Sequence, residues 1–458
     1  MSKQAKYFSP GKLTYYKDES MRHYLYVLGV LMLCTVAFAY GQEANQSSQV
    51  EALRSELQSL HKQLDSLKNA GSSLQQDDLD ALEDRLDKKM TELENKIDAV
   101  SRSTAPIAFN PRMVAFVNFA ARADNKPVYD LADPTNDISN KPFLRTVELE
   151  LSAPVDPYAS AVTVISVENE AGKDFAIDAE EAYGLITRLP IIESSPLGMR
   201  MKLGKYRANL GTVNKIHMHD LPWTTRPLMV TKFMGTEHGD FFEAGFNPTG
   251  VDLDFYLPNP IPGTTLEMSL DAVRAGDIII SHHTGIVQPA YIGHINLSKD
   301  WENEHLLNLG LSAYDEGGNY PTRLYGADIT YKWAPSEERE SNSVVAGGEV
   351  FVADRRDTVN PDLAVHPLGG FGYFQYQTSY WLYLGARFDW VQEPIIEKPI
   401  TKSVGAYASY YTTEFLRFRI GFEHRWSEIP TQDNVNTGLL DVNFVFGSHP
   451  TEPYWVNR

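Results

Sequence analysis

The chain has 458 residues, a formal charge of −19 and a single cysteine, Cys34. Such acidity argues against nucleic-acid binding and against polybasic adhesion to an anionic surface, and one thiol excludes a disulfide framework or a thiolate metal site. Beyond the first forty residues no run of about twenty apolar residues occurs, so a helical membrane protein is excluded and any membrane crossing requires a closed β-barrel.

Residues 1–39 read as a secretory signal: Arg22 and His23 precede an apolar run over 24–38, and Ala37-Phe38-Ala39 offers a cleavage site. Met21 is an alternative start to Met1. Cys34 follows Leu33, which is not the small residue a lipoprotein site needs, and cleavage after residue 39 removes the only thiol. The removed segment carries five Lys or Arg against two acids, which takes the mature chain from −19 to −22. Residues 40–48 form a polar linker.

Over 49–101 the positions Val50, Leu53, Leu57, Leu60, Leu64 and Leu67 step alternately by three and four, an a/d seam. Asn69-Ala-Gly-Ser-Ser73 interrupts it, and Leu79, Leu82, Leu86, Leu93 and Val100 resume it. A single helix cannot bury such a stripe in water, so the segment predicts a coiled coil of identical chains, a trimer in preference to a dimer. It reads either as a plain spacer or as a periplasmic stalk that sets trimer register. A second linker, 102–112, contains Asn110-Pro111.

From 113 to 447 the sequence is a succession of stretches with alternating apolar and polar residues, broken by Gly, Pro, Asn and Asp. In Leu416-Arg-Phe-Arg-Ile-Gly-Phe422 the even positions are apolar while Arg417 and Arg419 project to the other side. Seventeen candidate strands fall at 113–122, 144–153, 158–168, 176–187, 197–207, 240–246, 251–257, 265–273, 290–297, 304–314, 322–333, 344–353, 370–378, 380–390, 404–412, 414–425 and 438–447. A bacterial barrel has an even number, so sixteen are expected, one candidate being a loop segment. The predicted fold is all-β, an antiparallel transmembrane barrel of about sixteen strands preceded by a coiled-coil helix. Short turns such as 153–157 alternate with long connectors at 207–239, 274–289 and 354–369, and aromatics such as Tyr380, Trp381, Tyr410 and Tyr411 sit near strand ends, as interfacial girdles require. A C-terminal tail, 448–458, carries Tyr454-Trp455 beyond the last strand, where such a barrel usually stops on a terminal aromatic. A soluble β-sandwich shares the alternation with its apolar face turned inward.

Two segments sharpen the barrel reading. Leu203-Gly-Lys-Tyr-Arg-Ala-Asn-Leu-Gly211 is similar to a strand-to-loop motif of the phosphate-selective porin-like outer-membrane channels, and His217-Met-His219 with Arg226-Pro-Leu228 resembles a His-rich loop in related porin-like proteins. The resemblance implies sixteen-stranded trimers in the outer membrane. That group lines its pore with Lys and Arg, whereas the polar faces here mix signs. Glu148, Glu150, Glu180, Arg200, Lys202, Arg207, Arg226, Asp328, Arg387, Arg417 and Arg419 are the pore-lining or constriction candidates. The stalk carries thirteen acids and eight bases over 41–103, which leaves about −17 on the barrel and its loops. Anion selectivity does not carry over, and mixed rings favour small polar or weakly cationic solutes.

Loop 207–239, long and containing Trp223, Arg226 and His217, is the candidate constriction loop, an exterior cap being the alternative. His217, His219 and Asp220 are candidate metal ligands, with His238, His282 and His283 as completions, since imidazole and carboxylate suit Zn²⁺ or Cu²⁺. Glu180 and Glu181, as neighbours on a strand, are expected on opposite faces and so unable to form one acid/base pair. No nucleophile-elbow, phosphate-loop or zinc-protease motif occurs, so neither an enzyme nor a cofactor is expected. The expected function is a trimeric porin passing small hydrophilic solutes, in contact with outer-membrane lipid and with peptidoglycan as a further partner. The alternatives are an outer-membrane tether to the cell wall and a secreted soluble β-rich binding protein.

Overall fold

The computed structural model describes residues 111–447 apart from 130–135, 170–174, 189–194, 236–244, 282–288, 337–340, 357–362, 395–397 and the single positions 260, 303, 319 and 414. The expected signal segment, coiled coil and C-terminal tail lie outside the described residues. The chain divides into two units, 1–105 and 106–458, and the second carries the fold.

Among the described residues seventeen strands follow one another: β1 Arg112–Asp124, β2 Pro142–Pro154, β3 Ala159–Asn169, β4 Phe175–Ile186, β5 Arg200–Lys205, β6 Thr249–Leu257, β7 Thr264–Arg274, β8 Pro289–Trp301 and β9 His305–Glu316. They continue with β10 Thr322–Trp333, β11 Ser343–Arg356, β12 Ala364–Val365, β13 Leu368–Ser379, β14 Leu382–Gln392, β15 Ile400–Thr413, β16 Leu416–Ser427 and β17 Val435–Gly447. Neighbours pair antiparallel, and β1 pairs with β17 as well as β2, so the sheet closes on itself. The two-residue β12 pairs only with the end of β11; the other sixteen strands form the wall. The surplus sequence candidate is 240–246, whose described residues Gly245 and Phe246 belong to the connector before β6.

The alternation resolves in the direction a membrane demands. On β16, Ile420 and Phe422 point outward, 62% and 51% exposed, while Arg417 and Arg419 point inward at 4% and 1%. On β9, Leu309 and Leu311 are exposed while Asn308 and Ser312 are buried, and β10 repeats this with Ile329 outside and Asp328 and Thr330 inside. A soluble sandwich buries its apolar face, so the inverted arrangement sets aside the soluble β-rich reading. An apolar outer surface is stable only against hydrocarbon. No helix among the described residues is long and apolar enough to cross a membrane. Tyr256, Tyr380, Trp381, Tyr410 and Trp426 are exposed near strand ends, the positions of an interfacial girdle.

Met113 and Gly447 lie at one end of the barrel, since Val114 pairs with Gly447. The tight links 155–158, 380–381 and 414–415 share that end, and the connectors 125–141, 206–248 and 275–288 leave from the other. The asymmetry is partial: link 187–199 is long on the terminal end, and 170–174 and 317–321 are short on the opposite one.

The described residues of connector 206–248 do not cap the barrel from outside. Tyr206, Leu210, Leu221, Trp223, Met229, Phe233 and Met234 are all buried, packed with inward-facing Tyr314, Phe351, Phe371, Tyr373 and Tyr383 in one apolar cluster. A wall built outward-greasy thus acquires its internal core largely from this inserted loop, with Val128, Ile138, Ile278 and Ile280 of neighbouring connectors joining the same cluster.

Candidate functional site

The inner loop meets two chemically opposite walls. Its first part, 206–213, faces strands β6, β7, β9, β10 and β11, whose inward residues are acids and hydroxyls, and there it offers donors. Tyr206 donates to Asp271 at 3.0 Å, Asn209 to Asp254 at 3.1 Å and to Ser269 at 2.8 Å, and the Gly211 N–H to Ser312 at 3.0 Å. The N–H groups of Thr212 and Val213 both donate to Glu349 Oε1, at 2.8 and 2.6 Å, while the Thr212 hydroxyl donates to Asp328 at 2.7 Å. Gly211 makes this approach possible: its φ is +72°, and a Cβ there would lie 2.5 Å from the Glu349 carboxylate.

Residues 219–228 face β2, β14, β16 and β17, and there the loop offers acceptors. Arg145 donates to the Thr224 carbonyl at 2.6 Å, Arg417 to that of His219 at 2.7 Å and Arg419 to that of Leu221 at 2.7 Å. Arg387 donates to the Thr225 carbonyl and to its hydroxyl. Asp441 lies among Arg145, Arg417 and Arg419 at 3.3, 3.2 and 3.8 Å, and Asp389 holds Arg387 at 2.8 Å while accepting the Leu228 N–H at 3.0 Å. Trp223 sits edge-on to Tyr373, ring centroids 4.9 Å apart, with the Arg387 guanidinium 5.0 Å from its ring. Hydrogen bonds to charged groups are the stronger class; the first half of the loop presents donors to its acids, and the second presents mainly carbonyls to its guanidinium groups, with the Leu228 N–H and Thr225 hydroxyl donating to Asp389 and Glu423. Arg226 turns back on the loop itself, donating to the carbonyls of Val213 and Ile216.

At mid-depth, between these two docking regions, histidines meet carboxylates. Glu148, opposite Phe116 in the β1–β2 register, receives His217 Nδ1 at 3.2 Å on Oε2 and His219 Nδ1 at 3.1 Å on Oε1. The His219 ring stacks on Phe116 with centroids 3.8 Å apart. Glu180 Oε1 lies 3.5 Å from His217 Nδ1, and Glu181 Oε2 3.6 Å from His217 Nε2. Arg207 forms an ion pair with Glu180, and its N–H donates to Glu181. Burial and the Arg207 guanidinium oppose a charge on His217, but the hydrogen bonds to Glu148 and Glu181 outweigh them and push its pKa up to about 10.

The joint burial of Glu180 and Glu181 corrects the expectation that they face opposite ways. In the β3–β4 ladder Val164 pairs with Glu181 and Ile165 with Ala179, so Glu180 is the extra residue of a β-bulge. The bulge breaks the period of two and turns both carboxylates inward. The same device operates in β2: Asn118 pairs with Thr146 and Phe119 with Leu144, which makes Arg145 the extra residue of a bulge directed into the lumen.

All eleven constriction candidates face the interior, but not in one ring. Glu148, Glu180, Arg207, Arg226, Asp328, Arg387, Arg417 and Arg419 are buried by the loop. Glu150, paired with Arg112 at 3.3 Å, and Lys202, paired with Asp252 at 3.2 Å, are partly accessible. Arg200, with a side chain 43% exposed, bridges Glu267 at 2.9 Å and Asp254 at 3.8 Å. These three lie toward the end that carries the barrel termini and form a mixed-charge mouth. Asp220 lies 3.5 Å from His219 Nε2, on the side of that ring away from Glu148. His238, His282 and His283 lie outside the described residues. Sequence reasoning passed over Asp441, Glu349 and Asp389, which the alternation of β17, β11 and β14 already turns inward, and Arg145 and Glu181, which only the bulges explain.

No known family model matches the chain. An uncharacterized protein of Aquifex aeolicus (strain VF5) is 24% identical over 353 residues, covering 68% of this chain and 70% of its own. Among solved structures, the anion-selective porin of Comamonas acidovorans matches with a TM-score of 0.49 and 9% identity, over 73% of this chain and 99% of its own. The outer-membrane channel DcaP of Acinetobacter baumannii gives 0.47 and 10%, over 74% and 97%. OmpF of Salmonella typhi, in complex with daunomycin, gives 0.44 and 9%, over 73% and 98%. At these scores the barrel assignment rests on the closed ladder and the inverted burial of this chain itself.

Proposed function

We propose that the chain is an outer-membrane porin for small hydrophilic solutes, with the inner loop 206–248 as its constriction. The observation that carries this reading is the inserted loop: an apolar-outside barrel whose interior is charged, with its longest described connector folded into the lumen, is built to narrow an aqueous path rather than to display a surface. Assembly as a trimer in the outer membrane, with residues 49–101 as a periplasmic stalk in contact with peptidoglycan, completes the reading and follows from the heptad seam and the exposed apolar wall. The accessible mouth residues Glu150, Arg200, Lys202 and Glu267 carry both signs, so the channel discriminates weakly by charge and lacks the Lys and Arg ladder of the phosphate-selective group.

Single-channel conductance of the detergent-purified mature protein in a planar bilayer, under a salt gradient, tests this. Small steps in groups of three with a reversal potential near zero are expected. The burial of Arg387, Arg417 and Arg419 under the loop favours one second reading, a plugged barrel, which predicts folded, inserted protein that passes no current.

A further inference from the structure

The histidine–carboxylate cluster is not needed for a constriction. Donor atoms of Glu148, His217 and His219 all lie within 4.8 Å of one another. Zinc–ligand bonds of about 2.0–2.2 Å in a tetrahedron set its ligand atoms roughly 3.4 Å apart, and the two Nδ1-to-carboxylate distances, 3.1 and 3.2 Å, already approach that edge. Glu180, buried and held by Arg207, lies beside this group with Oε1 3.5 Å from His217 Nδ1 and adds negative charge next to it.

The far sides of the two rings carry the stronger argument. His217 turns Nε2 toward Glu181 at 3.6 Å, and His219 turns Nε2 toward Asp220 at 3.5 Å. A carboxylate behind each imidazole is placed to keep the ring proton on Nε2 once an ion takes Nδ1, the carboxylate–histidine–metal arrangement. Both Nδ1 atoms converge on one carboxylate, Glu148. Phe116 stacked on His219 and the Arg417 hydrogen bond to the His219 carbonyl fix that ring.

We propose that Glu148, His217 and His219 bind one divalent transition-metal ion of the zinc class inside the barrel, the fourth position falling to water, with Glu181 and Asp220 serving as positioning carboxylates. Two nitrogens and a carboxylate at this separation suit Zn²⁺ and exclude the all-oxygen octahedral preference of Mg²⁺. The ion ties the middle of the inner loop to strand β2, a role independent of whether the barrel conducts.

The test uses the full chain, folded in detergent, stripped with chelator and titrated with Zn²⁺ alone and with Co²⁺ alone. One equivalent per chain retained through gel filtration and a tetrahedral Co²⁺ absorption band in the visible are expected. Glu148→Gln, nearly isosteric, and His219→Ala should each abolish stoichiometric retention. Asp220→Asn should lower affinity by about 10- to 100-fold while keeping the tetrahedral band. Folding of every variant is checked by heat-modifiable gel mobility, and Glu148→Gln carries the test if His219→Ala does not fold. No retained metal in the folded wild type overturns the proposal. So does metal retained equally by Glu148→Gln, which would place the ion elsewhere. Channel conductance enters none of these readouts, so failure here leaves the porin reading standing.

Discussion

The two walls that receive the inner loop differ in where the burden of charge lies. On the side of β6 to β11 the barrel supplies acids and the loop answers with N–H and hydroxyl donors spread over Asp271, Asp328 and Glu349, the last taking two N–H groups. On the side of β2, β14, β16 and β17 the barrel supplies guanidinium groups, the loop answers mostly with carbonyl oxygens, and one carboxylate, Asp441, serves three arginines at once. The first wall is redundant; the second is concentrated. Buried cations without a partner cost more than a lost neutral hydrogen bond, so damage to the two walls should differ in size.

The largest effect is expected from Asp441→Ala, which leaves three buried guanidinium groups short of their shared carboxylate. Breaking a buried pair costs about 3–5 kcal/mol, so the folded form on an unboiled gel should be lost at a markedly lower temperature. Next comes Ile420→Arg on the outer face, about 2–4 kcal/mol if the position lies near the bilayer midplane; refolding yield into lipid vesicles against urea measures it. On the acidic wall Glu349→Ala strands two N–H groups, and about 1–3 kcal/mol is expected from the same urea series. If Glu349→Ala proves as damaging as Asp441→Ala, the two walls are equivalent and the contrast between them falls. Smallest in stability is Arg200→Ala at the exposed mouth, within about 0.5 kcal/mol; there the reversal potential should shift toward cation preference at unchanged heat stability.

These contrasts also mark how far the sequence could be read. The strands were legible because the period of two in segments such as 416–422 is undisturbed, and the inner loop because 207–239 is long and carries Trp223, Arg226 and His217 between two strand patterns. The phase rule also places Asp441, Glu349 and Asp389 in the lumen, although nothing local says what they hold. Arg145 and Glu181 were not legible: a one-residue bulge reverses the face of a side chain, and a bulge leaves no mark in composition or spacing. The convergence of Glu148 on His217 and His219 was hidden for a different reason, since it joins β2 to a loop some seventy positions later through tertiary folding alone.

The central claim is that the loop, held between the two walls, sets the bore of the lumen. The most direct measurement compares single-channel conductance of the wild type with that of a variant in which residues 211–235 are replaced by a short Gly-Ser link, both shown to be folded by heat-modifiable mobility. The account predicts conductance several-fold higher in the shortened variant and a reversal potential that moves as the buried charges of the walls meet water. Equal conductance from two folded barrels would contradict it, because the path for solute would then bypass the loop.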